Sequence, residues 1–136
     1  FIAKNDPEQK TAIYVYNTHW DHQSQQARVN SALLMIKKIK SRTNKENPYI
    51  LMGDLNATIN NPAVKSLLAD GFLKDHCKKD YRSSSMWKPD LVPGQRIDHI
   101  FTSPYFKKAE FKIESNAANK DWSGSDHHPV VLRLNE

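Results

Sequence analysis

An α/β layered domain is what the 136-residue sequence predicts, on three observations. Short, nearly continuous apolar runs end abruptly in polar residues. Amphipathic segments of helical period stand between some of them. Several of the runs are apolar enough to be covered on both faces. Thr11 to Thr18 is the first such run, rich in β-branched and aromatic residues, and predicts a strand covered on both faces. From Ser24 to Lys40 the apolar residues Val29, Ala32, Leu33, Ile36 and Ile39 recur every three or four positions. That spacing predicts an amphipathic helix, and Lys37, Lys38 and Lys40 load the end where its dipole favours cations. Thr43 to Pro48 predicts a polar loop, and Tyr49 to Met52 a second buried strand ended by Gly53.

Asn61-Pro62 reads as N-cap and first helical residue of a short helix through Leu67 and Leu68, closed by Gly71. Ile97 to Phe101 predicts a third strand. Ala109, Phe111 and Ile113 alternate with Lys108, Glu110, Lys112 and Glu114, as in a strand with one wet face, and Val130 to Leu134 predicts the last strand. Lys78 to Gln95 and Ser115 to Ser125 are polar loops, carrying Trp87 and Trp122 respectively.

Composition excludes several classes. Apolar residues make up 38% of the chain and aromatics 10%, too many for a disordered polymer, and four glycines exclude a collagen-like design. Mean hydropathy is −0.73, and no apolar run approaches the ~20 residues of a membrane-spanning helix. The single cysteine, Cys77, has no internal partner for a disulfide. Lys and Arg total 20 against 15 Asp and Glu, a net charge of +5. This favours phosphate-bearing partners slightly, since the excess is spread along the chain. Phe1-Ile2-Ala3-Lys4 reads neither as an initiator sequence nor as a leader. The expectation is therefore a cut or processed chain, and localisation is not legible.

The polar residues at strand ends carry the chemistry. Asn17-Thr18-His19 follows the first strand, Gly53-Asp54-Leu55-Asn56 the second, Arg96-Ile97-Asp98-His99-Ile100 contains the third, and Ser125-Asp126-His127-His128-Pro129 leads into the last. Strand ends in α/β sheets converge on one crevice, so these motifs can build one site. Asp54 and Asn56, two residues apart, aim a carboxylate and a carboxamide in one direction. Asp126 and His127 set a hard oxygen ligand beside a titratable imidazole, which suits a divalent cation and a phosphate oxygen. Each motif alone is more often a turn or a cap. A zinc site at His19, His22, His127 and His128 lacks a completing Cys or Glu. Neither a Gly-x-Ser-x-Gly elbow nor a Gly-rich phosphate loop is present.

In their order, Asn-Thr-His, Gly-Asp-Leu-Asn, Arg-Ile-Asp-His-Ile and Ser-Asp-His-His-Pro-Val, the motifs resemble the endonuclease/exonuclease/phosphatase superfamily over about Thr11 to Leu134. The resemblance implies the C-terminal half of a DNase I-like four-layered α/β sandwich, with one mixed sheet and flanking helices, the whole of residues 1–136 being a partial domain. It implies a hydrolase of phosphate esters using Mg²⁺ or Mn²⁺. By position, Asp54 is similar to the family aspartate that activates or positions the attacking water, and Asn56 to its phosphate-orienting partner. Asp126 is similar to the aspartate on the metal, with Asp54 and Asn56 completing a hard-oxygen set. His127 is similar to the histidine on the scissile phosphate, Asp98 to the carboxylate that orients it, and His19 to a second histidine of the nuclease and sphingomyelinase-like branches. The family's first two strands supply an asparagine and a metal-binding glutamate, and this chain begins after them. Glu8, in the turn-like Asn5-Asp6-Pro7-Glu8, does not replace that glutamate.

His22, His76, His99 and His128 are assigned structural or surface positions, with His99 and His128 facing away from their matched neighbours. Arg28 is assigned to an ion pair. Trp87 and Trp122 are candidates to line the substrate cleft or to anchor their own loops. The substrate implied is a phosphate ester: a nucleic acid, a phospholipid head group or a phosphorylated small molecule. The alternative function is a non-catalytic remnant or binding module of the same fold. Helices enough for one face of the sheet lead to the expectation that the isolated chain needs its N-terminal half or an oligomeric partner.

Overall fold

The computed structural model describes residues 12–79, 81–115, 121 and 124–135. Its elements in chain order are β1 (Tyr14–Asn17), α1 (Gln25–Lys40), β2 (Tyr49–Asp54), α2 (Pro62–Leu68), β3 (Lys74–Asp75), β4 (Asp98–Thr102), β5 (Lys108–Ile113) and β6 (Val130–Asn135). Both helices start where their caps demand. The Ser24 side chain accepts a hydrogen bond from the Ala27 N–H, and Asn61 from the Ala63 N–H, with Pro62 entering the first turn of α2. The Gln25 and Asn61 side chains hydrogen-bond each other at 2.8 and 3.0 Å, tying the start of α1 to the cap of α2.

β1 and β2 are parallel with α1 as their crossover, and β4 runs antiparallel to both β2 and β3, in the order β1-β2-β4-β3. This mixed sheet with flanking helices is the expected class. β5 and β6 do not extend it but form a separate antiparallel pair, Phe111 opposite Leu132.

α1 and α2 lie on one face of the mixed sheet, where Ala32, Ile39, Val64 and Leu67 pack with Tyr49, Leu51, Leu55 and Phe101 in a single buried core. The alternation along β2 shows the consequence. Tyr49 and Leu51 are buried, whereas Ile50 and Met52 are only partly so. By register, Val15, Ile50, Met52 and Ile100 share the other face, and all are partly exposed. The expectation of two-sided cover on β1 and β2 is thus corrected: both helices sit on the same side. That partly exposed face ends at Asp54 and Asp98, which are register partners across β2 and β4.

Candidate active site

The site is assembled where β1 and β2 end side by side. Past β1 the chain stays alongside β2, with Thr18 N–H donating to the Met52 carbonyl and Trp20 N–H to the Asp54 carbonyl, both at 3.0 Å. This close run requires Gly53. Its φ is +142°, and a Cβ there would fall 1.8 Å from the Thr18 carbonyl oxygen. His19 is carried to Asp54 in consequence, its Nε2 lying 3.4 Å from Asp54 Oδ2 and 3.2 Å from Asn56 Nδ2.

Asn56 occupies a left-handed conformation, φ 45°, which lets the chain hook back after β2. Its N–H donates to Asp54 Oδ1 at 2.8 Å, and its Nδ2 donates to the Trp20 carbonyl at 2.9 Å. Asp54 and Asn56 are therefore held by each other and by the β1 exit.

Asp98 opens β4. Its N–H and that of Ile97 both donate to the buried Ser83 Oγ, at 3.1 and 2.9 Å. Ser83 and its neighbours also seat His127. Ser84 bridges His127, His128 N–H donates to the Ser83 carbonyl at 2.8 Å, and Ser85 Oγ donates to the Ser125 carbonyl at 2.7 Å. His127 Nδ1 thereby comes 2.8 Å from Asp98 Oδ2, while Nε2 faces Asp54 Oδ2 at 4.0 Å. Asp54, Asp98 and His127 offer atoms that all lie within 4.8 Å of one another, the one such trio of metal-ligand type among the described residues.

The electrostatics follow from this crowding. Burial raises the pKa of Asp54 and the nearby Asp98 charge adds to it, against the Asn56 N–H and the two imidazoles. Burial acts to lower the His127 pKa, but its hydrogen bond to Asp98 and the charges of Asp98, Asp54 and Asp126 leave it above the ordinary value. Asp126 itself is exposed; its carboxylate accepts from Ser125 Oγ at 3.4 Å, and its carbonyl accepts the Met86 N–H at 3.2 Å.

His19, Asp54, Asn56, Asp98 and His127 thus converge, with Asp126 beside them. His99 and His128 are buried, 1% and 4% exposed, and His99 Nε2 turns to the Ala57 carbonyl at 2.8 Å. His22 is exposed, away from any such trio. Arg28 makes no carboxylate pair among the described residues but donates to the Asp21 carbonyl and to Gln25 Oε1. Trp87 is 51% exposed beside Met86, 57% exposed, both with positive φ, on the loop stitched to Asp126 and His127. Trp122 and Glu8 lie outside the described residues. Sequence reasoning does not single out Ser83 and Ser85; the triple serine 83–85 inside a polar loop is the signal that could have found them.

At its strand ends this α/β domain thus sets a carboxylate-held imidazole beside a second carboxylate. The sequence model of the Endonuclease/Exonuclease/phosphatase family matches residues 3–127, and the chain belongs to that family. It is similar to a mannosyl-6-phosphatase from Bacteroides thetaiotaomicron, at 27% identity over 90% of this chain and 51% of that one, with a TM-score of 0.68. A family protein from Bacteroides vulgatus matches at 30% identity over 86% of this chain and 48% of that one, TM-score 0.64. A mutant beta toxin from Staphylococcus aureus with bound magnesium ions shares the fold at 18% identity, 89% and 52% coverage and a TM-score of 0.64. The chain spans about half the length of these structures. No curated protein sequence matches it.

Proposed function

We propose that this chain carries the greater part of the catalytic groups of a divalent-metal-dependent phosphoesterase, as the C-terminal half of its domain. The observation that carries the reading is His127, fixed at Nδ1 by Asp98 and turned at Nε2 toward Asp54. The shares of 51% and 48% of the matched chains support the partial-domain reading.

The donor set fits a hard cation. Asp54, Asn56 and Asp126 offer oxygen ligands, and the raised pKa of Asp54 marks a place where added positive charge is favourable. Asp54, Asn56 and Asp126 would hold Mg²⁺ or Mn²⁺, ions that need few protein carboxylates and keep sites for water and phosphate oxygens. When bound, the ion polarises the phosphoryl oxygens. The chain's own residues do the rest. Asp54, its basicity raised by burial, takes the proton of the attacking water as the new P–O bond forms. His127, held in one tautomer by Asp98, places positive charge against the phosphate and gives its Nε2 proton to the departing oxygen as the old P–O bond breaks. Asn56 and His19 orient the phosphate beside Asp54, and Trp87 lines the cleft.

The test is hydrolysis of chromogenic phosphate mono- and diesters by the whole protein, with Mg²⁺, Mn²⁺ or a chelator present. Metal-dependent turnover that falls about 10²–10⁴-fold in Asp54→Ala and His127→Ala is expected. Turnover indifferent to both substitutions, or sustained in the chelator, would overturn the reading.

A further inference from the structure

Ser83 stands behind the converging side chains and is tied to both members of the Asp98–His127 pair. It is fully buried, and its Oγ accepts from the N–H groups of Ile97 at 2.9 Å and Asp98 at 3.1 Å. A serine hydroxyl has two acceptor positions, and these two N–H groups at the start of β4 occupy both. The peptide joining Ile97 to Asp98 is held from its other side as well, because its carbonyl accepts the Leu55 N–H at 2.9 Å. Leu55 stands between Asp54 and Asn56. One planar peptide is therefore clamped between the exit of β2 and the Ser83 hydroxyl. The side chain that follows it is the carboxylate that meets His127 Nδ1 at 2.8 Å.

The main chain of Ser83 fixes the other member. Its carbonyl accepts the His128 N–H at 2.8 Å, and the adjacent Ser84 bridges His127. The strip that carries Ser83 has its own anchors, the Arg82 N–H on the Val92 carbonyl at 3.0 Å and the bridge of Tyr81 with Pro93. Ser83 thus reaches Asp98 through its side chain and His127 through its backbone. Its neighbour Ser85, also buried, turns its hydroxyl to the Ser125 carbonyl and the Trp87 N–H instead.

We propose that Ser83 is a positioning residue of the site, its hydroxyl holding Asp98 where the carboxylate keeps the proton of the neutral His127 ring on Nδ1 and aims Nε2 at the phosphate. The inference rests on the proposed role of His127 and names what sets the geometry of the pair. A displacement of about 1 Å in a catalytic group can cost about 10²-fold in rate. Without the hydroxyl, the Ile97–Asp98 peptide is held on the Leu55 side alone, and the carboxylate is free to drift from the ring. The anchors of the strip are all backbone, so removing the hydroxyl leaves the strip itself in place.

The experiment reads the ring and the rate of the whole protein separately. In a chelator and without substrate, the ring-nitrogen NMR shifts of His127 at one alkaline pH show which nitrogen carries the proton of the neutral ring. The unsubstituted protein should hold it on Nδ1. Ser83→Ala should move the ring toward the tautomer mixture of a free imidazole, and Ser83→Thr, which restores the hydroxyl, should return it to Nδ1. Ser83→Cys, similar in shape but a poor acceptor, makes the same test where the alanine variant does not fold. With Mg²⁺ and a chromogenic phosphate ester, kcat of Ser83→Ala should fall at least about tenfold while KM changes little. Added to Asp98→Asn, Ser83→Ala should cost less than about twofold, since no carboxylate is left to place. Val64→Ala, which opens a cavity under α2 instead, should lower the urea midpoint and leave the ring and kcat unchanged. A protein that hydrolyses no ester would sink the proposed function, and the ring shifts would still decide this inference. A proton that stays on Nδ1 in Ser83→Ala, the same ring shift in Val64→Ala, or losses from Ser83→Ala and Asp98→Asn that multiply would each overturn it.

Discussion

His127 Nδ1 and Asp98 Oδ2 stand 2.8 Å apart although 29 residues separate them in the chain. The contact keeps the proton on Nδ1 in the neutral ring and favours the doubly protonated one. Asp98→Asn removes the charge but keeps the shape. The His127 pKa should fall, and the alkaline limb of the rate profile, where a required imidazolium is lost, should move to lower pH. Turnover should drop on the order of 10²-fold. Titration of the His127 ring by NMR checks the shift without activity. An unmoved pKa would separate the pair from any role in tuning this histidine.

The approach of Thr18 to Gly53 sets the position of His19 beside Asp54, and a side chain at Gly53 is barred twice over. Its Cβ would sit 1.8 Å from the Thr18 carbonyl, which is backbone and cannot swing aside, and its φ of +142° is unfavourable for any L residue. Gly53→Ala should cost about 3 kcal/mol or more, read as a lower midpoint in urea. If the fold survives, His19 should no longer be held within hydrogen-bond reach of Asn56.

Much of this arrangement was legible in the residues, and what was not has physical causes. Ser24 and Asn61-Pro62 are local signals, and both helices begin where they stand. β3 is two residues long, too short for any period, and is defined only by its partners Phe101 and Thr102. The separate pairing of β5 with β6 was hidden because one-sided alternation says which face is wet, not which sheet a strand joins. The strand-end motifs announced Asp54, Asp98 and His127, but Ser83 could not be read. Its hydroxyl serves N–H groups 14 and 15 residues away, a relation with no sequence spacing of its own.

His99 makes stability depend on acid. Its ring is 1% exposed, and burial chiefly, with the Arg96 charge adding, pushes its pKa down to about 4 against 6.5 ordinarily. The Ala57 carbonyl and the charges of Asp75 and Asp98 oppose this without prevailing. The unfolded chain therefore binds the proton first. The contribution is complete above pH 6.5 and is lost as pH falls from there to about 4, a loss of about 3 kcal/mol at most. Urea unfolding midpoints across that range should decline, and in His99→Gln the decline should be shallower. An equal decline in both proteins would assign it to other groups.

Arg96 and Asp75 give the last expectation, because a buried charge is costly chiefly when its partner is removed. The Arg96 side chain is 1% exposed and that of Asp75 19%. The guanidinium is pinned between that carboxylate and the Phe111 ring, and so joins β3 to β5. Asp75→Ala would take the Asp75 carboxylate away from the buried guanidinium, and should destabilise the protein by about 3–5 kcal/mol. Arg96→Met leaves Asp75, the more exposed partner, able to turn to water, and keeps an apolar side chain over Phe111. Its cost should be smaller, and adding Asp75→Ala to Arg96→Met should cost less than Asp75→Ala costs alone. Denaturant titration of the two single variants and the double variant measures the coupling. Strict additivity would show that the pair, despite its burial, does not act as a unit in holding the hairpin to the sheet.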